Sequence, residues 1–232
     1  SLDIQTKATL ERNAGNINDF ANSIRAMRRH EIERIGLAWM SGVIDDEASL
    51  AGMTDVYDAA IEASLQWAIQ HRINDIQIDE APAAIAIIGM GRYGGREVNF
   101  SSDADVIIIY RPAEGADDDQ ANLFARKVQE DLRAILQGPT TFEPKIELDM
   151  DLRPEGKNGP LVRSYASCEE YYRSWASTWE HQALLRARYA AGDASLAEDF
   201  LMNIADPLRY PKIDLTETQI AEIRKLKARM EA

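Results

Sequence analysis

The stretch that most constrains this chain is residues 85–110, IAIIGMGRYGGREVNFSSDADVIIIY. An apolar run leads into a glycine-rich turn, and two aspartates then open a second apolar run, a pattern that predicts two buried strands. Residues two apart in a strand point to the same face, so we expect Asp103 and Asp105 to stand side by side. Adjacent carboxylates repel each other, and hard cations such as Mg²⁺ bind carboxylate oxygens. The pattern therefore predicts a site for a metal ion and a nucleotide, with phosphates held by the backbone N–H groups of the turn.

The same glycines also fit a dinucleotide-binding fingerprint. Gly89, Gly91 and Gly94 match G-x-G-x-x-G after a strand. That fold needs a helix after the third glycine, long enough to cross back to a parallel strand. Only residues 95–102 separate Gly94 from Asp103. We therefore set the dinucleotide interpretation aside and expect the second strand to return beside the first through a brief connection.

Composition narrows the function classes further. The chain has 232 residues, of which 45% are hydrophobic, and a formal net charge of −13. This is enough material for a core, and the negative charge argues against a nucleic-acid partner, whose phosphates call for a basic surface. Cys168 is the single cysteine of the sequence, which fits a reducing cytoplasm and excludes a disulfide framework. The longest apolar stretches are too short for a membrane span, and we expect no signal peptide.

The chain divides into three predicted parts. Residues 1–75 read as an N-terminal helical segment, residues 76–165 as a catalytic core and residues 166–232 as a C-terminal helical segment, which makes the expected fold class α+β. Within these parts we expect the first strand over residues 83–88 and several helices. The predicted helices cover residues 16–72 in two pieces, 121–137, 167–191, 195–204 and 215–232. The last helix stops without a cap, which suggests a piece cut from a longer protein.

A third strand is predicted at residues 145–152, KIELDMDL, because apolar and polar residues alternate there. Asp149 and Asp151 would lie on its open face. A solvent-facing strand shows such alternation without any function. Beside the aspartate pair of the second strand, however, the acidic face favours a shared metal site.

These residues resemble the nucleotidyltransferase superfamily of the DNA-polymerase-β type. Its pattern is a glycine-rich turn, an aspartate pair on a strand and a third carboxylate on a later strand, here matched by Asp103, Asp105 and Asp149. Three longer blocks are similar to the glutamine synthetase adenylyltransferase family: GMGRYGGREVNFSSDADVI, LDMDLRPEGKNGPLVRS and YYRSWASTWEHQALLRARYAAGD. The resemblance covers residues 24–232. It implies a polymerase-β-like mixed sheet with helices before and after it.

The resemblance also implies an activity, which is transfer of AMP from ATP to a tyrosine hydroxyl of glutamine synthetase. It assigns Asp103, Asp105 and Asp149 to Mg²⁺ binding and catalysis, with Asp149 also a candidate proton acceptor. Family members carry an adenylyl-removing half and a transferase half, and the block WEHQALLRAR favours the transferase half. The removing half and a non-catalytic nucleotide-sensing module are the alternatives. A PII-type signalling protein and glutamine would regulate the intact enzyme.

Several residues around the aspartates are expected to contact ATP. They are Gly89, Gly91, Arg92, Gly94, Gly95, Ser101 and Ser102. The two serines fit turn capping equally well. Asp151 departs from the family, which often has arginine there, so it is either an extra acidic group or a charge neutralised by Arg153. Arg153 and Lys157 could meet phosphate or pair with Asp151, and the scattered histidines 30, 71 and 181 read as structural.

Overall fold

A computed structural model describes residues 16–139, 145–210 and 216–230 of the chain. The first 15 residues of the predicted N-terminal segment and the predicted uncapped end of the chain lie outside these ranges. The α-helices are α1 (Ile17–Met40), α2 (Asp46–Asp75), α3 (Gly91–Gly94), α4 (Asp118–Gln137), α5 (Tyr165–Ser174), α6 (Thr178–Ala183), α7 (Ala194–Phe200), α8 (Asp206–Arg209) and α9 (Glu217–Met230). The strands are β1 (Ala83–Gly89), β2 (Ala104–Pro112), β3 (Leu148–Asp149), β4 (Val162–Ser164) and β5 (Arg188–Gly192).

The strands form one mixed sheet. β1 pairs with β2 on one side and with β5 on the other, both antiparallel. β3 and β4 run parallel to β2 and pair with its beginning and its middle, respectively. This arrangement confirms the expected α+β class and the brief return connection between the first two strands.

Helices cover both faces of the sheet, which explains why β1 and the centre of β2 are apolar. Ile85 and Ile87 belong to a core shared with α1, α2 and α4, whereas Ala86 and Ile88 belong to a second core with α5 and α7. Successive side chains of a strand point to opposite faces, so a strand buried on both sides cannot alternate with polar residues. None of the helices that the structure describes combines the length and apolarity needed to cross a membrane.

The acidic loop before α4 acts as a helix start. The Asp117 side chain accepts a hydrogen bond from the backbone N–H of Gln120 at 3.1 Å, and two more aspartates occupy the first turn. Carboxylates at these positions accept hydrogen bonds from unpaired N–H groups, and their negative charge interacts favourably with the positive end of the helix dipole. The helix ends at Gln137, as Gly138 and Pro139 predicted.

The single long helix predicted over residues 167–191 is wrong. α5 ends at Ser174, and α6 starts anew after Ser177, whose backbone N–H and hydroxyl donate to the Glu180 carboxylate at 2.8 and 2.9 Å. The chain then becomes β5, which pairs with the edge of β1 and gives partners to backbone groups of β1 that would otherwise be unpaired. At the end of α5, Trp175 is 76% exposed, whereas Tyr172 is buried.

The predicted third strand is shorter than expected. Only residues 148 and 149 pair as β3, and a turn begins directly after Met150. Buried Arg153 explains the turn, since its guanidinium donates to the carbonyls of Met150, Lys157 and Gly159 at 2.7, 3.0 and 2.9 Å. Asp151 therefore does not share a strand face with Asp149, contrary to the expectation.

Candidate active site

Two of the predicted carboxylates are neighbours across the sheet. In the parallel pairing of β2 with β3, Asp105 lies opposite Asp149 and Ala104 lies opposite Leu148. The Ala104 backbone N–H donates to the carbonyl of Glu147 at 2.8 Å, which fixes this register. Because a shift by one residue would turn either side chain to the other face, the ladder itself brings these carboxylates together.

The glycine turn packs directly on Asp105. The Met90 backbone N–H donates to the Asp105 carbonyl at 2.8 Å, so the start of the turn is tied to β2. Gly91 has a φ of 51°, and a Cβ there would overlap the carboxylate of Asp105. A side chain at position 91 is thus excluded both by backbone conformation and by the acid beside it.

The electrostatics of the site centre on Asp105. Burial, followed by the charges of Asp149 and Asp103, raises the pKa of Asp105 from 3.8 to about 6. A hydrogen bond from the Arg92 backbone and the charge of the Arg92 side chain act in the opposite direction and do not cancel the increase. The cluster therefore carries uncompensated negative charge, which a bound cation would relieve.

A buried tyrosine supports the loop that carries Asp103. Tyr57 of α2 donates its hydroxyl to the carbonyl of Ser102 at 2.9 Å. Burial raises the pKa of Tyr57, the nearby Arg28 lowers it, and the charge of Asp103 adds a smaller increase. The phenol therefore stays protonated at neutral pH and serves as a donor that positions the loop. Sequence reasoning missed Tyr57, which the helical pattern of α2 marks only as a core residue.

The two serines before Asp103 belong to a turn organised by Asn99. The Asn99 side-chain oxygen accepts from the Ser102 hydroxyl at 2.9 Å and from the Ser101 backbone N–H at 3.0 Å. The Asn99 N–H in turn donates to the Ser102 hydroxyl at 3.1 Å. In the ligand-free state the serines therefore perform turn chemistry, which was one of the two roles the sequence left open.

Asp151 is drawn away from the carboxylate pair. Its backbone N–H donates to the Asp149 carboxylate at 2.7 Å. Its own carboxylate pairs with Lys157 at 3.2 Å and with Arg153 at 3.7 Å. Asp151 is thus neutralised by two cations, and its backbone orients Asp149.

A cavity of about 400 Å³ lies beside these acids, and Asp103, Asp149 and Asp151 all line it. Within residues 16–139, 145–210 and 216–230, no three His, Cys, Asp or Glu side chains are arranged to hold one metal ion. The chemistry of the donors nevertheless fits a hard divalent cation, because all are carboxylates, and the charges of Asp149 and Asp103 add to the larger effect of burial in raising the pKa of Asp105.

The far side of the glycine turn packs against β5. The N–H groups of Gly94 and Gly95 donate to the carbonyls of Met90 and Gly91 at 2.5 and 3.0 Å, and these bonds close the turn. A Cβ at Gly94 would meet the backbone carbonyls of Arg186 and Gly89. The glycine is therefore needed for close backbone packing.

Arg188 fastens this turn to α2 and was missed by sequence reasoning. Its guanidinium donates to the carbonyl of Tyr93 at 3.1 Å and to the carboxylate of Asp58 at 2.8 Å. The segment RYAAG carries a weak strand signal that could have revealed it, had the helical pattern upstream not been extended through it.

Cys168 takes no part in this chemistry. Burial raises the pKa of its thiol to about 12, so the nucleophilic thiolate is absent at neutral pH. Its side chain lies in the second core, on the face of the sheet that α5 and α7 cover.

Comparison with known proteins gives consistent matches. The family model of glutamate-ammonia ligase adenylyltransferases matches residues 2–203. A bifunctional glutamine synthetase adenylyltransferase/adenylyl-removing enzyme of Bifidobacterium longum (strain DJO10A) is 75% identical over 232 residues, which are 100% of this chain and 22% of that protein. Enzymes of the same description are 45% identical in Mycobacterium tuberculosis (strain CDC 1551 / Oshkosh) and 42% identical in Mycobacterium leprae (strain TN). These matches cover 90% and 91% of this chain and 20% and 21% of those proteins. The chain thus spans about a fifth of the length of these relatives.

Proposed function

Because the chain belongs to the glutamate-ammonia ligase adenylyltransferase family, we propose that it transfers AMP from ATP to a tyrosine hydroxyl of glutamine synthetase. The observation that carries the proposal is the pairing of Asp105 with Asp149 directly beside the glycine turn. Transfer at a phosphorus atom needs concentrated negative charge for cation binding and a base near the acceptor. The paired carboxylates and the adjoining cavity supply these groups in one place.

Each aspartate has a proposed task. Asp149 accepts the proton of the attacking tyrosine hydroxyl, whose ordinary pKa near 10 makes it a poor nucleophile at neutral pH. The phenol oxygen then bonds to the α-phosphorus of ATP, and the bond to the bridging oxygen breaks, releasing pyrophosphate. Asp103 and Asp105 provide negatively charged carboxylates on the side of the site where the nucleotide binds. The hydrogen bond from the Asp151 backbone keeps Asp149 oriented.

The proposed metal is Mg²⁺, held by Asp103, Asp105 and Asp149, and it would stabilise negative charge on the phosphoryl oxygens. Arg92 offers a fixed positive charge to the phosphates, because it is exposed and close enough to Asp105 to lower its pKa. We retain Gly89, Gly91, Gly94, Gly95, Ser101 and Ser102 as the proposed ATP-contacting set. Since the N–H groups of Gly94 and Gly95 close the turn, these two glycines would act by allowing close approach.

The setting of the reaction follows from the family resemblance. We propose a cytoplasmic enzyme that is regulated, within the larger protein, by a PII-type signalling protein and by glutamine. The B. longum relative is described as both adenylyltransferase and adenylyl-removing enzyme. The adenylyl-removing reaction, in which phosphate releases ADP from modified glutamine synthetase, is therefore the second candidate activity.

The deciding experiment incubates this chain with unmodified glutamine synthetase, MgCl₂ and ATP labelled at either the α- or the γ-phosphorus. We expect label on a tyrosine of glutamine synthetase from α-labelled ATP only, and no label after EDTA treatment. Asp149→Asn serves as the inactive control. A parallel reaction supplies adenylylated glutamine synthetase and phosphate, and ADP release there would assign the chain to the removing reaction instead.

A chimera covers the case in which the chain needs its natural surroundings. The chain replaces the matching segment of the B. longum relative, with which it shares 75% of its residues. If the chimera lacks AMP transfer while it keeps the adenylyl removal of the unaltered relative, the proposed function is wrong.

A further inference from the structure

A second cavity adjoins the carboxylate cavity and has no part in the proposed transfer step. It encloses about 580 Å³ between α4 and the segment that leads into β4. Arg133 and Leu161 line both cavities, so the two spaces share a wall. The other lining groups used below are Arg126 and Gln129 of α4, and we call this space the arginine cavity.

Gln129 gives the clearest sign that the arginine cavity binds something. The residue is only 4% exposed, and its side-chain nitrogen has no hydrogen-bond partner among the residues that the structure describes. A buried amide nitrogen without an acceptor costs on the order of 1–3 kcal/mol. Because Gln129 lines the cavity, an acceptor atom of a ligand placed there would satisfy this nitrogen.

The charged groups of the arginine cavity indicate the ligand's chemistry. Arg126 and Arg133 are both exposed at its wall, and neither guanidinium takes part in an ion pair within the described part of the chain. Arg133 instead donates to the side-chain oxygen of Gln137 at 2.7 Å. The one lining acid, Glu130, is already paired with Lys127 at 2.7 Å.

A cluster of donors in a chain with a net charge of −13 is complementary to an anion. Guanidinium groups bind carboxylates through paired hydrogen bonds, and a buried amide adds a third donor. Leu161, which is 37% exposed, supplies apolar contact on the wall between the two cavities. The combination fits an acidic side chain on a peptide that also makes apolar contacts.

We propose that the arginine cavity receives an aspartate or glutamate side chain of the acceptor protein, close in sequence to the tyrosine that is modified. This inference rests on the proposed transfer to a tyrosine hydroxyl. A peptide whose tyrosine reaches Asp149 passes Leu161 and Arg133 as it leaves the carboxylate cavity, and the arginine cavity lies directly beyond them. The cavity is then a specificity site that selects tyrosines with an acidic neighbour.

The first test compares Arg126→Gln with Lys127→Gln. Both variants remove one positive charge from adjacent positions of α4, but Lys127 does not line the cavity. We expect Arg126→Gln to raise KM for glutamine synthetase at least about tenfold, the loss typical of a charge-assisted hydrogen bond, without changing KM for ATP. Lys127→Gln leaves Glu130 without its partner, so it should raise KM for glutamine synthetase less than Arg126→Gln does and leave KM for ATP unchanged. Equal effects of the two variants would overturn the proposal.

The second test measures binding of short peptides and does not depend on catalysis. Tyrosine peptides carry one glutamate at successive positions before and after the tyrosine, and matched peptides carry glutamine. Glutamate at a preferred position should strengthen binding to the wild-type chain and to Lys127→Gln, but not to Arg126→Gln. Free glutarate is the small-molecule arm, and binding of glutarate without any glutamate preference among the peptides would overturn the proposal.

Gln129→Leu supplies a readout that a purely structural role would not produce. It keeps a similar volume and removes the unpaired amide, so we expect a higher melting temperature together with weaker binding of the glutamate peptide. A lower melting temperature would mean that the amide has a partner inside the fold, and the site would lose its main support. If the wild-type chain binds the peptide through Arg126 but transfers no AMP, the proposed function fails while the arginine cavity stands as a binding site for an acidic side chain.

Discussion

Asp105 and Asp149 face each other across the parallel strands β2 and β3, and the charge of Asp149 is the second cause, after burial, of the raised pKa of Asp105. The fold therefore places two carboxylates together at a cost to its own stability. Such a cost is expected where a protein assembles a site for a cation.

We predict that Asp105→Asn makes the ligand-free chain more stable at pH 7.5 and abolishes AMP transfer. An acid whose pKa rises from 3.8 to about 6 on folding destabilises the folded state above pH 6. The full shift corresponds to about 3 kcal/mol. Solvent around this half-buried group reduces that figure, so we expect about 1 to 2 kcal/mol. Thermal unfolding without metal measures the gain.

The pH dependence supplies the control for this variant. Below pH 3.8 Asp105 is protonated in both the folded and the unfolded state, so the penalty is absent there and grows as pH rises to about 6. The stability gain of Asp105→Asn should accordingly shrink as the pH is lowered from 7.5 to 4.5. Glu114→Gln, at an exposed loop position, should show no comparable trend. A gain that is constant with pH would place its origin elsewhere.

Asp149 and Asp151 should differ sharply in their effect on activity. Asp151 already pairs with Lys157 and Arg153, whereas Asp149 faces Asp105. We expect Asp149→Ala to be nearly inactive, and Asp151→Ala to lose less than about tenfold, which is under about 1.4 kcal/mol of transition-state stabilisation. Both rates are measured at saturating Mg²⁺ and ATP. A reversed ranking would move the third carboxylate to Asp151.

The sheet around Asp105 could be predicted from sequence because its signal is local. β1 and β2 are apolar runs joined by a short glycine turn, and burial on both faces leaves no competing pattern. β5 could not be predicted in this way. The helical pattern upstream obscures the weak strand signal of residues 188–192, and they form a strand because they pair with the edge of β1, which is a contact between distant parts of the chain.

The candidate site, too, could be predicted only in part from the sequence. The sequence identified Asp103, Asp105 and Asp149 through their positions beside apolar runs. The residues that support these aspartates could not be recognised from the sequence, because Tyr57 and Arg188 act through hydrogen bonds to backbone carbonyls of another segment. Such contacts leave no pattern in the order of residues.

Gly91→Ala should disrupt the site more than its backbone conformation alone explains. Gly91 and Gly115 both have positive φ, at 51° and 76°, so alanine is strained at either position. A Cβ at Gly115 meets nothing within 4 Å, whereas a Cβ at Gly91 meets the Asp105 carboxylate. We expect Gly115→Ala to cost about 1 kcal/mol and to leave activity unchanged.

Gly91→Ala should lose both stability and nearly all AMP transfer, because Asp105 must move. Denaturant unfolding and the transfer assay test the pair of variants. Equal behaviour of the two would show that the contact with Asp105 is unimportant.

The last prediction concerns Glu180, an acid that is only 2% exposed and has no cation partner among the described residues. Its two carboxylate oxygens instead accept four hydrogen bonds. The donors are the Tyr171 hydroxyl at 2.8 Å, the Glu155 N–H at 3.2 Å, and the Ser177 N–H and hydroxyl at 2.8 and 2.9 Å. These bonds join α5, the start of α6 and the turn at Glu155, whose φ of 67° is unusual for a residue other than glycine.

Glu180→Gln keeps the size of the side chain but replaces one carboxylate oxygen, which is an acceptor, with an NH₂ group. This NH₂ group then faces hydrogen-bond donors. Buried donors would then lose their acceptors, so we expect the variant to lose about 3 kcal/mol, or roughly 6 to 12 °C in melting temperature for a chain of this size. Glu170→Gln, an exposed substitution on α5, should change the melting temperature little. Because the turn at Glu155 precedes Lys157, the partner of Asp151, Glu180→Gln should also weaken AMP transfer at temperatures where the chain is still folded. Unchanged melting of Glu180→Gln would mean that these four bonds contribute no net stability, and that the turn is held by Arg153 and by the ion pair of Arg163 with Glu155.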